Sequence, residues 1–366
     1  MRSRLLLPIL VLAVIAGPAV VMPGIAPAGE IPLTSHYKVL APIGHGNLTV
    51  FPVVATTSHD TQEFLTLDEG LRSGDVVVSE SGNVAPLVRP RHGFRPPQHN
   101  PGDGAEVNRL VLVNNSKRPL ILLAGEIVTG GKQDRVIGKD RLVPAESDPI
   151  DLSVFCVEPG RWTATKANFG SYDTTMAQPA VRARAMADKN QEMVWSEVRK
   201  AQGSVAAQLS PPMAAAVGGT SSYARVMQND EVKKKVDAVA EPMQHDYQSV
   251  IKQLRDRNAV GVVVAVNGEI IWADIFANTS LLEKYWPKLV RSYAAEAIVT
   301  QAKSHEADMK AAQRFLDNLE SRREIVESEP GLYRHTEITG DGFKAFELTS
   351  LLPKTGFDLH LAKMAD

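Results

Sequence analysis

Residues 259–276 read AVGVVVAVNGEIIWADIF. Two apolar, β-branched arms flank Asn267-Gly268, a pair that accepts the positive φ angles a two-residue hairpin turn requires. The stretch is therefore an antiparallel hairpin over 260–276, set between two helical patterns. Before it, residues 178–258 are rich in Ala, Gln, Lys and Met, the composition of helices. Within them Met243, Tyr247, Val250, Ile251 and Leu254 recur at three- and four-residue steps, giving one buried face. After the hairpin, WPKLVRSYAAEAIVTQA places Leu289, Val290, Tyr293, Ala297 and Ile298 on one helical side. EADMKAAQRFLDNLESRREIVES reads as a charged surface helix, so helices are expected over 279–327.

Further out the pattern is β on both sides. KVLAPI, LTVFPVVAT, EFLTLDEGL and DVVVSE are short apolar or alternating runs cut by turn residues, and VNRLVLVNN, RPLILLAGEIV, RVIGKDRLVP and DPIDLSVFCVEPGRW continue them. Between them APLVRPRHGFRPPQHNPGDG carries five prolines and three glycines and must be a long loop. Its His92, His99 and Asp103 match no metal-ligand template. Strands return over 332–363. The expected fold class is α+β: a β-rich N-terminal half (33–162), a helical middle, then the hairpin and strands near the C-terminus. Nothing shows the βα alternation of a doubly wound nucleotide fold.

The first 28 residues read as a cleaved secretory signal: Arg2 and Arg4, an apolar run from Leu5 to Ala16, and the small-x-small pattern Ala26-Pro27-Ala28. Pro8 and Gly17-Pro18 leave the run short of the ~20 apolar residues that span a bilayer. The expected product is a single domain, residues 29–366, secreted to a bacterial periplasm. Cleavage would move the formal charge from -2 to -4, which offers no basic footprint for nucleic acid or anionic lipid. Hydrophobic residues at 44% and charged residues at 22% are globular proportions. The single cysteine, Cys156, allows no internal disulfide, and its neighbours Val154, Phe155 and Val157 suit a buried strand.

Several catalytic signatures fail on inspection. Gly125 and Gly130 have the spacing of a phosphate loop, but Gly131 intrudes before Lys132 and Gln133 replaces the hydroxyl. Leu352-Pro353-Lys354-Thr355-Gly356 imitates a wall-sorting signal without the apolar segment and basic tail behind it. Ser249-x-x-Lys252 with Lys354-Thr355-Gly356 lacks the third element of a penicillin-binding serine site. His-Glu-x-x-His, Cys-x-x-Cys and Gly-x-Ser-x-Gly are absent.

Two charged clusters remain, each at the end of an apolar strand. One is Glu126 with Gly130-Gly131-Lys132-Gln133-Asp134-Arg135, the other Cys156-Val157-Glu158-Pro159-Gly160-Arg161-Trp162. If adjacent strands bring them together, Glu126 and Glu158 supply an acid and a base. Lys132, Gln133, Asp134, Arg135 and Arg161 then hold an anionic substrate, and Trp162 lines the cleft. The alternative is an ion-pair lattice that fixes two turns.

The order Ala-Gly-Glu, Gly-Gly-Lys-Gln-Asp-Arg, Cys-Val-Glu-x-Gly-Arg-Trp, GVVVAVNGEIIWADIF and WPKLVRSYAAEA resembles the bacterial ARPP family, the ARG and rhodanese-phosphatase-superfamily-associated protein domain. The resemblance runs from Leu33 to His360, with Asp134 where the family pattern has Asn. It implies one domain of mixed α/β character and carries no established reaction. Three functions stay open: an exported hydrolase or transferase acting on a small anionic substrate, with Glu126 or Glu158 as base; a non-catalytic ligand-binding module of the cell envelope; and a scaffold. The expected partner is a small-molecule or peptide ligand, with no nucleic acid and no membrane after signal cleavage. Cofactor, metal and oligomeric state have no signature in the sequence.

Overall fold

Valines at 262, 263 and 264 favour an extended backbone, and the hairpin forms as the sequence dictates: Asn258–Val266 pairs with Glu269–Phe276, Val264 facing Trp272, around Asn267 (φ 55) and Gly268 (φ 80). In the computed structural model this hairpin is the centre of a nine-stranded sheet. The structure describes residues 37–61, 63–80, 88–89, 108–161, 169–170, 175–254, 258–303, 307–318, 322–329, 331–353 and 356–366. They belong to one compact unit, Thr34–Asp366. The signal-like segment and the loop with His92, His99 and Asp103 lie outside the described residues.

The large sheet is antiparallel throughout. Its order is Tyr37–Val39, Leu48–Ala55, Asn258–Val266, Glu269–Phe276, Asp358–Ala365, Phe343–Ser350, Tyr333–Gly340 and Arg322–Glu329, with Ile43–His45 also paired to Leu48–Ala55. Helices Asp230–Gln253 and Thr279–Val299 join it in the main core, where Tyr247, Tyr285, Trp286 and Tyr293 pack with Val262, Val264, Trp272 and Phe276. A second sheet of five strands, Val76–Glu80, Arg109–Asn114, Ile150–Cys156, Arg135–Ile137 and Ile127–Val128, has its own core around Val78, Leu112 and Leu152. A small sheet, Arg141–Val143, Leu120–Leu122 and Leu65–Thr66, contributes to the same core through Leu65, Leu120, Leu122 and Val143. Helices Pro179–Ala183 and Gln191–Ala206 pack on the five-stranded sheet through Val181, Val194 and Val198 against Val136, Phe155 and Val157. The fold is α+β, with strands at both ends of the chain and helices between.

Two expectations need correction. The run EFLTLDEGL is a two-residue strand, Leu65–Thr66, followed by a helix, Leu67–Ser73. The reason is a capping box: the Glu69 N–H donates to the Thr66 hydroxyl (3.3 Å), and the Glu69 carboxylate accepts the Thr66 N–H (2.9 Å). Thr66→Ala should cost about 1 kcal/mol in urea unfolding. The second correction is at the C-terminal side: the surface helix is only Met309–Asp317, and Arg322–Glu329 is a strand. Pairing along Tyr333–Gly340 outweighs the helical propensity of a charged segment that contains Ile325-Val326. No helix among the described residues is long and apolar enough to cross a membrane.

Candidate functional site

Strand Arg135–Ile137 pairs with Ile150–Cys156, Cys156 opposite Arg135, so the turns that precede one and follow the other close on each other. Gly131 makes that possible: its φ is 48°, and a Cβ would lie 2.2 Å from the Phe169 ring. The Asp134 carboxylate accepts the Gly130 N–H (3.1 Å) and the Ser222 hydroxyl (2.6 Å), and the Asp134 N–H donates to the Glu158 carboxylate (3.0 Å). Arg161 donates to that same Glu158 oxygen (2.6 Å) and to the carbonyls of Gly131 and Gly130. Gln133 donates to the Glu158 carbonyl (3.1 Å), and the Lys132 N–H donates to the Glu80 carboxylate (2.7 Å). Arg135 is buried, and burial lowers its pKa against the pull of Cys156 and Glu80. Burial likewise pushes up Asp134, opposed by the Ser222 hydroxyl, and pushes up the buried Cys156 thiol. Trp162 lies outside the described residues.

Glu126 is held in a different set. Its carboxylate accepts the Leu123 N–H (2.8 Å) and the Lys288 ammonium (2.7 Å), and Lys288 also donates to Asp68. Both Glu126 and Lys288 are buried. Burial raises the Glu126 pKa, with Lys288 pulling against it and Asp68 adding to it. Burial would strip the proton from Lys288, but Glu126 and Asp68 override it and raise the pKa, so the ammonium keeps its charge. Of the residues nominated from the sequence, the structure thus joins Gln133, Asp134, Glu158 and Arg161 by direct contact and places Arg135 on the adjoining strand. Glu126 is tied instead to the helix Thr279–Val299.

A third set has no counterpart in the sequence reading. Arg182 grips Asp274 with two hydrogen bonds of 2.9 and 3.0 Å, and Tyr293 donates to the same carboxylate. His360 lies between Asp140 (2.5 Å) and Asp274 (3.1 Å), and Asp140 also accepts the Ala124 N–H. All four charged side chains are sealed from solvent. Burial alone would lower the imidazole, but Asp140 and Asp274 raise it to about 9; burial would raise Asp274, yet Arg182 and His360 hold it far below the usual carboxylate range. Two cations balance two anions, which is how such a cluster survives in a core. The available signal was a charge inside an apolar strand arm, Asp274 in WADIF. Nothing local links it to partners 92 and 86 positions away.

A family model described as "ARG and Rhodanese-Phosphatase-superfamily-associated Protein domain", ARPP-1, matches residues 36–362. The chain belongs to this family. No curated protein and no solved structure matches it. The ARPP-1 span contains both charged turns, the Lys288 set and the His360 set. Cavities of about 250 and 370 Å³ in this ARPP-1 domain border the π-helical turn Arg184–Asp188, and among the described residues none of those nominated lines either one. Among the described residues no group of three His, Cys, Asp or Glu side chains is placed to hold a metal ion.

Proposed function

We propose that this ARPP-1 chain is an exported, non-catalytic binding module that holds a small anionic ligand without transforming it. The observation that carries the reading is the separation of the two glutamates. Glu126 is neutralised in place by Lys288, and Glu158 by Arg161, each within its own closed set of hydrogen bonds. An acid and a base must reach one substrate together, and these two are built into different parts of the frame. The turn cluster instead has the character of a lock: Arg161 clamps Glu158 and the Gly130-Gly131 carbonyls, fixing the two turns to each other. Arg161→Ala should lower stability by about 2 kcal/mol, the scale of hydrogen bonds to a charged group, measured by urea unfolding. Export rests on the basic stub, apolar run and Ala26-Pro27-Ala28 pattern.

A second reading, a hydrolase or transferase using Glu126 as base, is favoured by one fact: burial raises that carboxyl's pKa beside a retained ammonium. A single experiment separates the two. Thermal-shift screening of sugar phosphates, nucleotides, peptides and small carboxylates identifies ligands, and NMR of each recovered ligand after long incubation reports its integrity. We expect a stabilising ligand that is recovered intact, with binding retained in Glu158→Gln. Conversion of the ligand that disappears in Glu126→Gln or Glu158→Gln would replace the binding module with the enzyme.

A further inference from the structure

The 250 Å³ cavity is walled by the helices Thr279–Val299 and Pro179–Ala183, the π-helical turn Arg184–Asp188, and the strands Glu269–Phe276 and Asp358–Ala365. Glu296, on the long helix, lines it. One of its carboxylate oxygens, Oε2, accepts the Ala180 N–H (2.9 Å) and the Gln178 side-chain amide (3.2 Å), which docks the helix Pro179–Ala183. The other, Oε1, accepts no hydrogen bond among the described residues and is not enclosed. No cationic side chain among the described residues forms an ion pair with this carboxylate. Arg184, on the same cavity wall, is committed to Asp188 at 2.9 Å and lies 3.8 Å from Glu197. Lys344 lines the cavity without pairing to Glu296.

Further observations give the hollow a preference for positive charge. Glu296 stands in the last turn of a 21-residue helix, where the free carbonyls already form the negative end of the dipole, so a carboxylate there adds like charge. Burial raises its pKa, with the Ala180 N–H pulling against it. Docking the helix Pro179–Ala183 needs an acceptor at this position, which a glutamine would supply equally; the negative charge is what docking leaves over. Among the described lining residues, Asp188, Glu296 and Asp366 face Arg184 and Lys344, which leaves one negative charge in excess. Pro179, Ala183, Ala187, Ile271 and Met364 supply apolar wall.

We propose that this cavity binds a small primary amine with a branched apolar body. The ammonium donates to Glu296 Oε1, a charge-assisted bond that gives the desolvated carboxylate its missing counter-charge, and the alkyl group packs on Ile271 and Met364. The site goes beyond the anionic-ligand reading and is separate from it, so its failure would leave that reading untouched.

The probes are 3-methylbutylamine, 3-methylbutan-1-ol, which lacks the charge, and 3-methylbutanoate, which reverses it, titrated calorimetrically into the intact protein at neutral pH. The amine should bind saturably, about tenfold more tightly than the alcohol, and the carboxylate should not bind. Glu296→Gln keeps an acceptor for the Ala180 N–H and removes the charge. It should weaken the amine about tenfold, to the level of the alcohol, and leave the alcohol unchanged. Ala187→Leu, which adds bulk to the cavity wall, should weaken both. If Glu296→Gln does not fold, the Glu296 side-chain carboxyl NMR signal of the wild type decides instead: it should shift on saturation with the amine. The proposal is overturned by no saturable amine binding, which leaves a solvent-filled hollow, or by alcohol or carboxylate binding as tightly as the amine. Amine binding indifferent to either variant, or an unmoved Glu296 signal, would overturn it equally.

Discussion

Replacing Arg182 by methionine should cost about 3–5 kcal/mol of unfolding free energy, because it removes one member of a buried ion pair and strands the other. The side chain is wholly enclosed, with both terminal nitrogens on Asp274 and its guanidinium 4.4 Å from the centre of the Trp272 ring. The chain has cleared space for it: a Cβ on Gly125, whose φ is 96°, would sit 2.6 Å from Arg182 Cγ. Methionine approximates the aliphatic volume and leaves the Asp274 carboxylate facing His360 and Tyr293 with one cation fewer. Urea denaturation measures the loss. The double variant Arg182→Met with Asp274→Asn should regain part of it, and the cycle gives the coupling. A single-variant loss under about 1 kcal/mol would mean that the cluster rearranges without cost and that its geometry contributes little.

The second large effect is on pH. In the folded chain the His360 imidazole is raised to about 9, against about 6.5 for an unperturbed histidine. A histidine whose folded pKa lies above its unfolded one contributes stability that is complete below the unfolded value. That contribution is lost as pH climbs through the folded value. Unfolding free energy should therefore fall by on the order of 3 kcal/mol between roughly pH 6.5 and 9. Denaturation curves at half-unit intervals across that window give the slope, and His360→Gln, which cannot titrate, should flatten it. An unchanged slope in the variant would assign the pH dependence to other groups.

The legible parts of this sequence were those whose cause is local. Asn267-Gly268 announces its own turn, and the spacing of Met243 and Tyr247 announces their burial. The two charged turns were also found, since glycines with positive φ and clustered charges sit side by side in the chain, and the structure closes one on the other. Propensity misjudged Arg322–Glu329 because its strand state is imposed by a partner. Thr66 and Glu69 were readable as a cap and went unread within an apolar run. The buried networks were beyond reach for a different reason. Lys288 and Glu126 are 162 positions apart, and His360 and Asp140 are 220 apart, so only the assembled core brings them together. His335, buried in strand Tyr333–Gly340, gave even less warning, for what marks it is that its ring has no hydrogen-bonding neighbour among the described residues.

The two outer borders of the nine-stranded sheet bear on how the molecule avoids its own kind. At the Tyr37–Val39 border, the Gln313 side-chain amide accepts the Val39 N–H and donates to the Tyr37 carbonyl, occupying positions that an incoming strand would use. The helix carrying Gln313 is anchored in turn by Lys363, which donates to the Phe315 and Asn318 carbonyls. At the opposite border Arg323, Glu324 and Glu329 are exposed, and charges on an edge strand discourage cross-chain addition. A glutamine plugs the rim at Tyr37–Val39 and charge guards the rim at Arg322–Glu329, and each device opposes fibril templating at its own edge.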